Sequence, residues 1–186
     1  MGLRVSFELN EDDLKHFRLI MRESRKAAAA MSPEEIVARA EALLDDTRNS
    51  TVPHFIEERL EKLHVMIRML RDHQWRLPAA ESGRVVNALA YFGEPDDLIP
   101  DHIPGLGFLD DAIMVELVVR ELKHEIEAYR DFCEYRSRHL PARGIKHKSS
   151  DMTRDRWLEK RRKELQARMR RRRKRDRGGR QPLDLL

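Results

Sequence analysis

Residues 91–111, YFGEPDDLIPDHIPGLGFLDD, decide how this 186-residue chain is read. Between two apolar segments they place Pro95, Pro100 and Pro104 among Gly93, Gly105 and Gly107. Proline fixes φ and withholds an N–H, so no helix runs through the string. Glycine admits positive φ or a close backbone approach. Asp96, Asp97, Asp101 and Asp110 are of the type that accepts from free backbone N–H groups at turns and helix starts. Leu98, Ile99, Ile103, Leu106 and Leu109 supply apolar contacts that pin such a connection down. The reading is a rigid two-corner connection between helices.

On both sides the apolar residues recur at helical spacing. Asn10, followed by Glu11, Asp12 and Asp13, is an N-cap with acidic residues in the first turn, where the helix dipole favours them. Leu14, Phe17, Met21, Ser24 and Ala28 then share a face. Ser32-Pro33-Glu34-Glu35 is a capping box with proline at the first helical position. Pro53 opens a helix striped by Ile56, Leu60, Leu63, Ile67 and Leu70. Pro78 interrupts, and a helix with Val85, Val86, Leu89 and Phe92 ends at Gly93. Beyond the string, a single long helix is expected, capped by Asp110 or Asp111. Ile113, Leu117, Leu122, Ile126, Tyr129 and Cys133 line its buried side, and Leu140-Pro141 ends it. The fold class is therefore all-α, a bundle of about five helices with a basic helical arm.

The string itself resembles the signature of the YkvA-like domain, a bacterial family of unknown function. Its members read roughly Y-x-x-x-P-x-D-L-I-P-D-x-I-P-x-x-G-x-x-D-D. Here the match runs from Tyr91 through Pro95, Asp97, Pro100, Asp101, Pro104 and Gly107 to Asp110 and Asp111. The resemblance covers about residues 85–136 and implies a family without implying an activity.

Charge divides the chain unequally. Residues 1–135 hold 17 Lys+Arg against 27 Asp+Glu, and residues 136–186 hold 20 against 6. A body of net −10 thus carries a tail of net +14, and the overall +4 is their sum. The expected organisation is an acidic helical domain over 1–140, a linker over 141–150 and a basic arm over 151–186. Glu159–Lys163 and Glu164–Arg168 support helix in the arm. From Arg168 onward, Arg170, Arg171, Arg172, Arg173, Lys174 and Arg175 repel one another, and only Asp176 offsets them. Such a run implies a polyanion: RNA, DNA, anionic headgroups or the chain's own acidic body. Few aromatics follow Trp157, so nucleic-acid binding is expected to follow phosphate charge rather than base sequence. Trp157, Leu158, Leu165 and Met169 form too narrow a stripe to be essential, so the body is expected to fold without the arm.

Catalytic arrangements are hard to find. One cysteine, Cys133, excludes an intrachain disulfide and aligns with Tyr129 and Ile126 as a buried thiol. No Ser-His-Asp order, phosphate-binding glycine loop or nucleophile elbow is visible. Asp96, Asp97, Asp101, Asp110 and Asp111 offer a Mg²⁺ or Mn²⁺ site for a hydrolase as the alternative, but their spacing matches no EF-hand loop and no zinc motif. Glu61-x-x-His64 and Glu121-x-x-His124 have di-iron spacing, with Glu57, Glu58 or Glu116 as further ligands. His124 looks solvated, and with 18 Glu and 8 His such pairs arise by chance.

The expectation is a non-enzymatic interaction or adaptor protein without a cofactor. Its signature residues Pro95, Asp96, Asp97, Pro100, Asp101, Pro104, Gly107, Asp110 and Asp111 are structural or dock a protein partner. Its arm binds RNA or DNA, with an anionic membrane surface as the alternative. No leader pattern opens the sequence and no long apolar run crosses it, so the expected location is cytoplasmic.

Overall fold

Asn10 begins the first helix in the way its sequence dictates. Its Oδ1 accepts from the backbone N–H groups of Asp12 (2.8 Å) and Asp13 (3.1 Å). Asp13 returns the bond, its carboxylate accepting from the Asn10 N–H at 2.8 Å. Two N–H groups left open by helix geometry are satisfied reciprocally. Ser32 and Glu35 repeat the device at 3.2 and 2.7 Å ahead of the second helix.

The computed structural model describes residues 8–49, 53–93, 108–139 and 148–177. These form seven α-helices: α1 (Glu11–Ala27), α2 (Pro33–Asn49), α3 (His54–Arg71), α4 (Ala79–Leu89), α5 (Leu109–Glu121), α6 (Lys123–His139) and α7 (Lys148–Arg177). Single turns of 3₁₀ helix follow α1 and α4. No strand occurs among the described residues, and the fold is all-α.

The body holds six helices rather than about five because the long helix expected after the signature string is two. Leu122, wholly buried, takes φ −96° and ψ 14° between α5 and α6. Hydrogen bonds from Leu122 N to Val118 O and from Ile126 N to Leu122 O flank the joint at 2.9 and 3.0 Å. Neither proline nor glycine marks this bend, so periodicity alone runs straight through it. The start of α5 also differs from expectation. Its cap position is Phe108, in the left-handed region at φ 63°, with no side-chain cap. Asp110 and Asp111 lie inside the first turn, where the dipole favours a carboxylate.

Helix α5 is largely buried and packs mainly against α3. Ala112, Met114, Val115, Leu117 and Val118 are all buried, more than one stripe can supply, as befits a helix covered on several sides. Lys62 of α3 reaches Glu116 of α5 at 2.7 Å. Beyond α3, Trp75 is wholly buried, with ring centroids 5.1 Å from Phe132 and 5.8 Å from Tyr129.

Helix α7 packs along α6 and contributes to the same core. Leu165 and Met169 are each 1% exposed and Leu158 is buried beside them, whereas Trp157 stays 56% exposed. Three of the four apolar residues of this stripe thus join the core, and Trp157 does not. Leu158, Leu165 and Met169 recur at spacings of seven and four, enough to seat one edge of a helix in a groove.

Candidate functional site

Of the signature residues, Pro95, Asp96, Asp97, Pro100, Asp101, Pro104 and Gly107 lie outside the described residues. Asp110 and Asp111 are described and are buried, at 3% and 2% exposed. The Tyr91 hydroxyl, also buried, donates to Asp110 Oδ2 at a long 3.5 Å. Among the described residues no three His, Cys, Asp or Glu side chains come together as a metal site. The two Glu-x-x-His pairs face different partners. His64 meets Arg48 at 2.8 Å, Glu121 meets Arg84 at 3.4 Å, and His124 meets Asp176 at 2.9 Å. His124 is not solvated as its sequence neighbours suggest, because α7 covers it to 9% exposure. Cys133 is only partly buried and lies 3.6 Å from a guanidinium nitrogen of Arg136.

Near that cysteine stands a well-knit polar cluster. Asp72, just past α3, accepts from the N–H groups of Gln74 (2.9 Å) and Trp75 (3.1 Å), from the Tyr129 hydroxyl (3.1 Å) and from Arg136 (2.7 Å). Burial works against its charge, but these donors outweigh it and hold the carboxyl below its ordinary range. Burial, with Cys133 and Asp72 alongside, pushes the Tyr129 phenol upward. Every group here bonds to another protein group, and the arrangement ties the turn after α3 to α6.

The nominated arginines of α7 separate by face. Arg168 pairs with Asp131. Arg172 pairs with Glu127 at 3.1 Å, and Arg170 with Glu81 at 3.3 Å. Arg173 reaches both Glu125 (2.7 Å) and Glu81 (3.2 Å), joining α4, α6 and α7 in one ionic cluster with Arg84. Asp176 closes the series with Lys123 at 2.7 Å and His124 at 2.9 Å, and these two donors draw its pKa down to about 2. Gln166, buried between the paired arginines and the apolar stripe, donates to the carbonyls of Trp75 (3.0 Å) and Arg76 (3.2 Å).

The opposite face is different. Arg156, Lys160, Arg171, Lys174, Arg175 and Arg177 are exposed, and none forms an ion pair with a described residue. Arg156, Lys160, Lys163, Arg171 and Lys174 fall on one stripe, at steps of three, four and eight residues. Glu159 and Glu164 flank it but are occupied by Lys163 (2.8 Å) and Arg161 (3.6 Å). Sequence reasoning identified the run but missed its division, and it missed the acceptors Glu81, Glu125, Glu127 and Asp131 entirely. The seven-and-four spacing of Leu158, Leu165 and Met169 was the available signal for the inner face.

The fold and this surface define an all-α protein with a docked basic helix. Residues 84–117 match the family described as "Protein of unknown function (DUF1232)". Over 76 residues the chain is 34% identical to the "Uncharacterized membrane protein YkvA" of Bacillus subtilis (strain 168), which is 38% of this chain and 70% of that relative. The chain belongs to this YkvA-like family. No solved structure matches significantly. No described helix is long and apolar enough to cross a membrane.

Proposed function

We propose that this chain is a non-enzymatic helical interaction module that engages an extended polyanion through the outer face of α7. One observation carries the reading: the inner arginines Arg168, Arg170, Arg172 and Arg173 have carboxylate partners, while Arg171, Lys174 and Arg175 beside them have none among the described residues. Adjacent like charges with no carboxylate paired to them repel, and an external anion relieves that repulsion. The inner arginines belong to the structure and the outer cations to the partner. Nucleic acid suits the charge, and the description of the Bacillus relative as a membrane protein sets a phospholipid surface beside it.

Elution of the full chain from heparin along a salt gradient tests the division. Changing Arg171, Lys174, Arg175 and Arg177 together to Gln is expected to lower the eluting salt sharply while leaving the melting temperature nearly unchanged. Arg172→Gln is expected to leave elution close to that of the parent. If the outer-face variant elutes with the parent protein, the outer face is not the binding surface.

A further inference from the structure

We propose that the polyanion is an anionic phospholipid surface, met side-on by α7 with Trp157 set among the headgroups. This rests on the reading of the outer face of α7 given above. The chain has two tryptophans: Trp75 is wholly buried, whereas Trp157 is 56% exposed on a helix whose Leu158, Leu165 and Met169 are buried. Lys160 lies one turn from Trp157, on the same side of the helix, and Arg156 precedes it. An indole flanked by cations suits the boundary between headgroups and acyl chains, where its apolar body and polar N–H are both satisfied.

The shape of the cationic surface points the same way. From Arg156 to Lys174 the stripe runs for about 27 Å at 1.5 Å per residue. The inner face is fixed to the body by Leu165, Met169 and the ion pairs of Arg172 and Arg173. A helix held so cannot roll to wrap a strand, and among the described residues no second basic helix stands opposite to form a groove. A flat anionic surface can meet the whole stripe at once. A single-stranded nucleic acid would call for a row of stacking aromatics, and Trp157 is the only exposed one on α7. Charge orients the molecule as well, since residues 1–135 carry −10 and residues 136–186 carry +14. The acidic body then faces away from the lipid. With so little apolar surface on offer, binding is electrostatic, needs anionic lipid and weakens with salt.

The two tryptophans make the test direct. Full-length protein is mixed with vesicles of phosphatidylcholine alone or of equal parts phosphatidylcholine and phosphatidylglycerol. The expected result is a blue shift of emission, with shielding from an aqueous quencher, on the anionic vesicles only. Trp157→Phe should abolish the shift, since Trp75 is already buried, while co-sedimentation persists. Lys160→Gln, Arg171→Gln and Lys174→Gln together should weaken vesicle binding on the order of 100-fold, at roughly fivefold per residue. An equal shift on neutral vesicles, or one that survives the triple change, overturns the proposal. So does heparin or RNA binding through the outer face without any vesicle binding, which leaves the polyanion reading standing. Failure to bind heparin, RNA and vesicles alike removes both.

Discussion

Arg173 Nη1 lies 2.7 Å from Oε1 of Glu125, a carboxylate whose side chain has no exposed surface. Arg84 approaches the same oxygen at 3.3 Å, and Oε2 has no hydrogen-bond partner among the described residues. A charge so placed is tolerated only while its cations remain, because removing one partner leaves the other buried and poorly compensated. Arg173→Gln should therefore destabilise the fold by about 1–3 kcal/mol, with Arg84 retaining part of the compensation. Arg171→Gln, two residues away on the outer side, should change stability by no more than about 0.5 kcal/mol. Denaturant unfolding of the two variants checks this contrast. Equal effects would mean that the two faces do not differ.

Removing α7 should unfold the body. Leu158, Leu165 and Met169 would each lose burial worth about 1.5–3 kcal/mol. Together they approach the whole stability of a typical domain, about 5–15 kcal/mol. A chain ending at His139 is expected to aggregate or to lose cooperative unfolding. A soluble fragment with a sharp transition near the parent's would show that the helix is accessory.

Asp72 should be a stability hinge with a defined acid dependence. Its folded pKa lies below its ordinary value of 3.8, so its contribution is complete above that value. The contribution is lost as pH falls through the depressed folded value. Asp72→Ala should cost about 2–3 kcal/mol at neutral pH, and the difference from the parent should shrink under acid. Melting temperatures of parent and variant from neutral pH downward measure it.

Asp176 makes the same argument for the end of α7. Lys123 and His124 lower its pKa to about 2 from an ordinary 3.8. The grip on the last turns is present above about pH 4 and is lost as pH falls towards 2. Asp176→Asn should loosen these turns at neutral pH without shifting the global transition. Amide exchange rates of residues 172–177 report this, and unchanged rates would mean that the pair does not hold the helix end.

Much of this architecture was legible because its signals are local. Asn10 with Asp13 and Ser32 with Glu35 close capping boxes within one turn, and Pro53 and Pro78 mark helix starts that sequence spacing alone reveals. The bend at Leu122 was not legible, since neither proline nor glycine marks it. The αL start at Phe108 was hidden by two aspartates that looked like caps. The site was legible as a charge run but not as two faces. Glu81 is 92 residues from Arg173, and Asp131 is 37 residues from Arg168, so only tertiary packing brings them together. The burial of His124 has the same origin, because its cover, Asp176, comes 52 residues later.

The central claim is that the basic helix is part of the folded body on one side and open to a partner on the other. Amide hydrogen exchange across α7 tests this most directly, since protection tracks the free energy of local opening. The account predicts that amides around Leu165 and Met169 exchange as slowly as those around Phe132 in α6. Exchange of α7 at the rate of a free helix, while α6 stays protected, would contradict it.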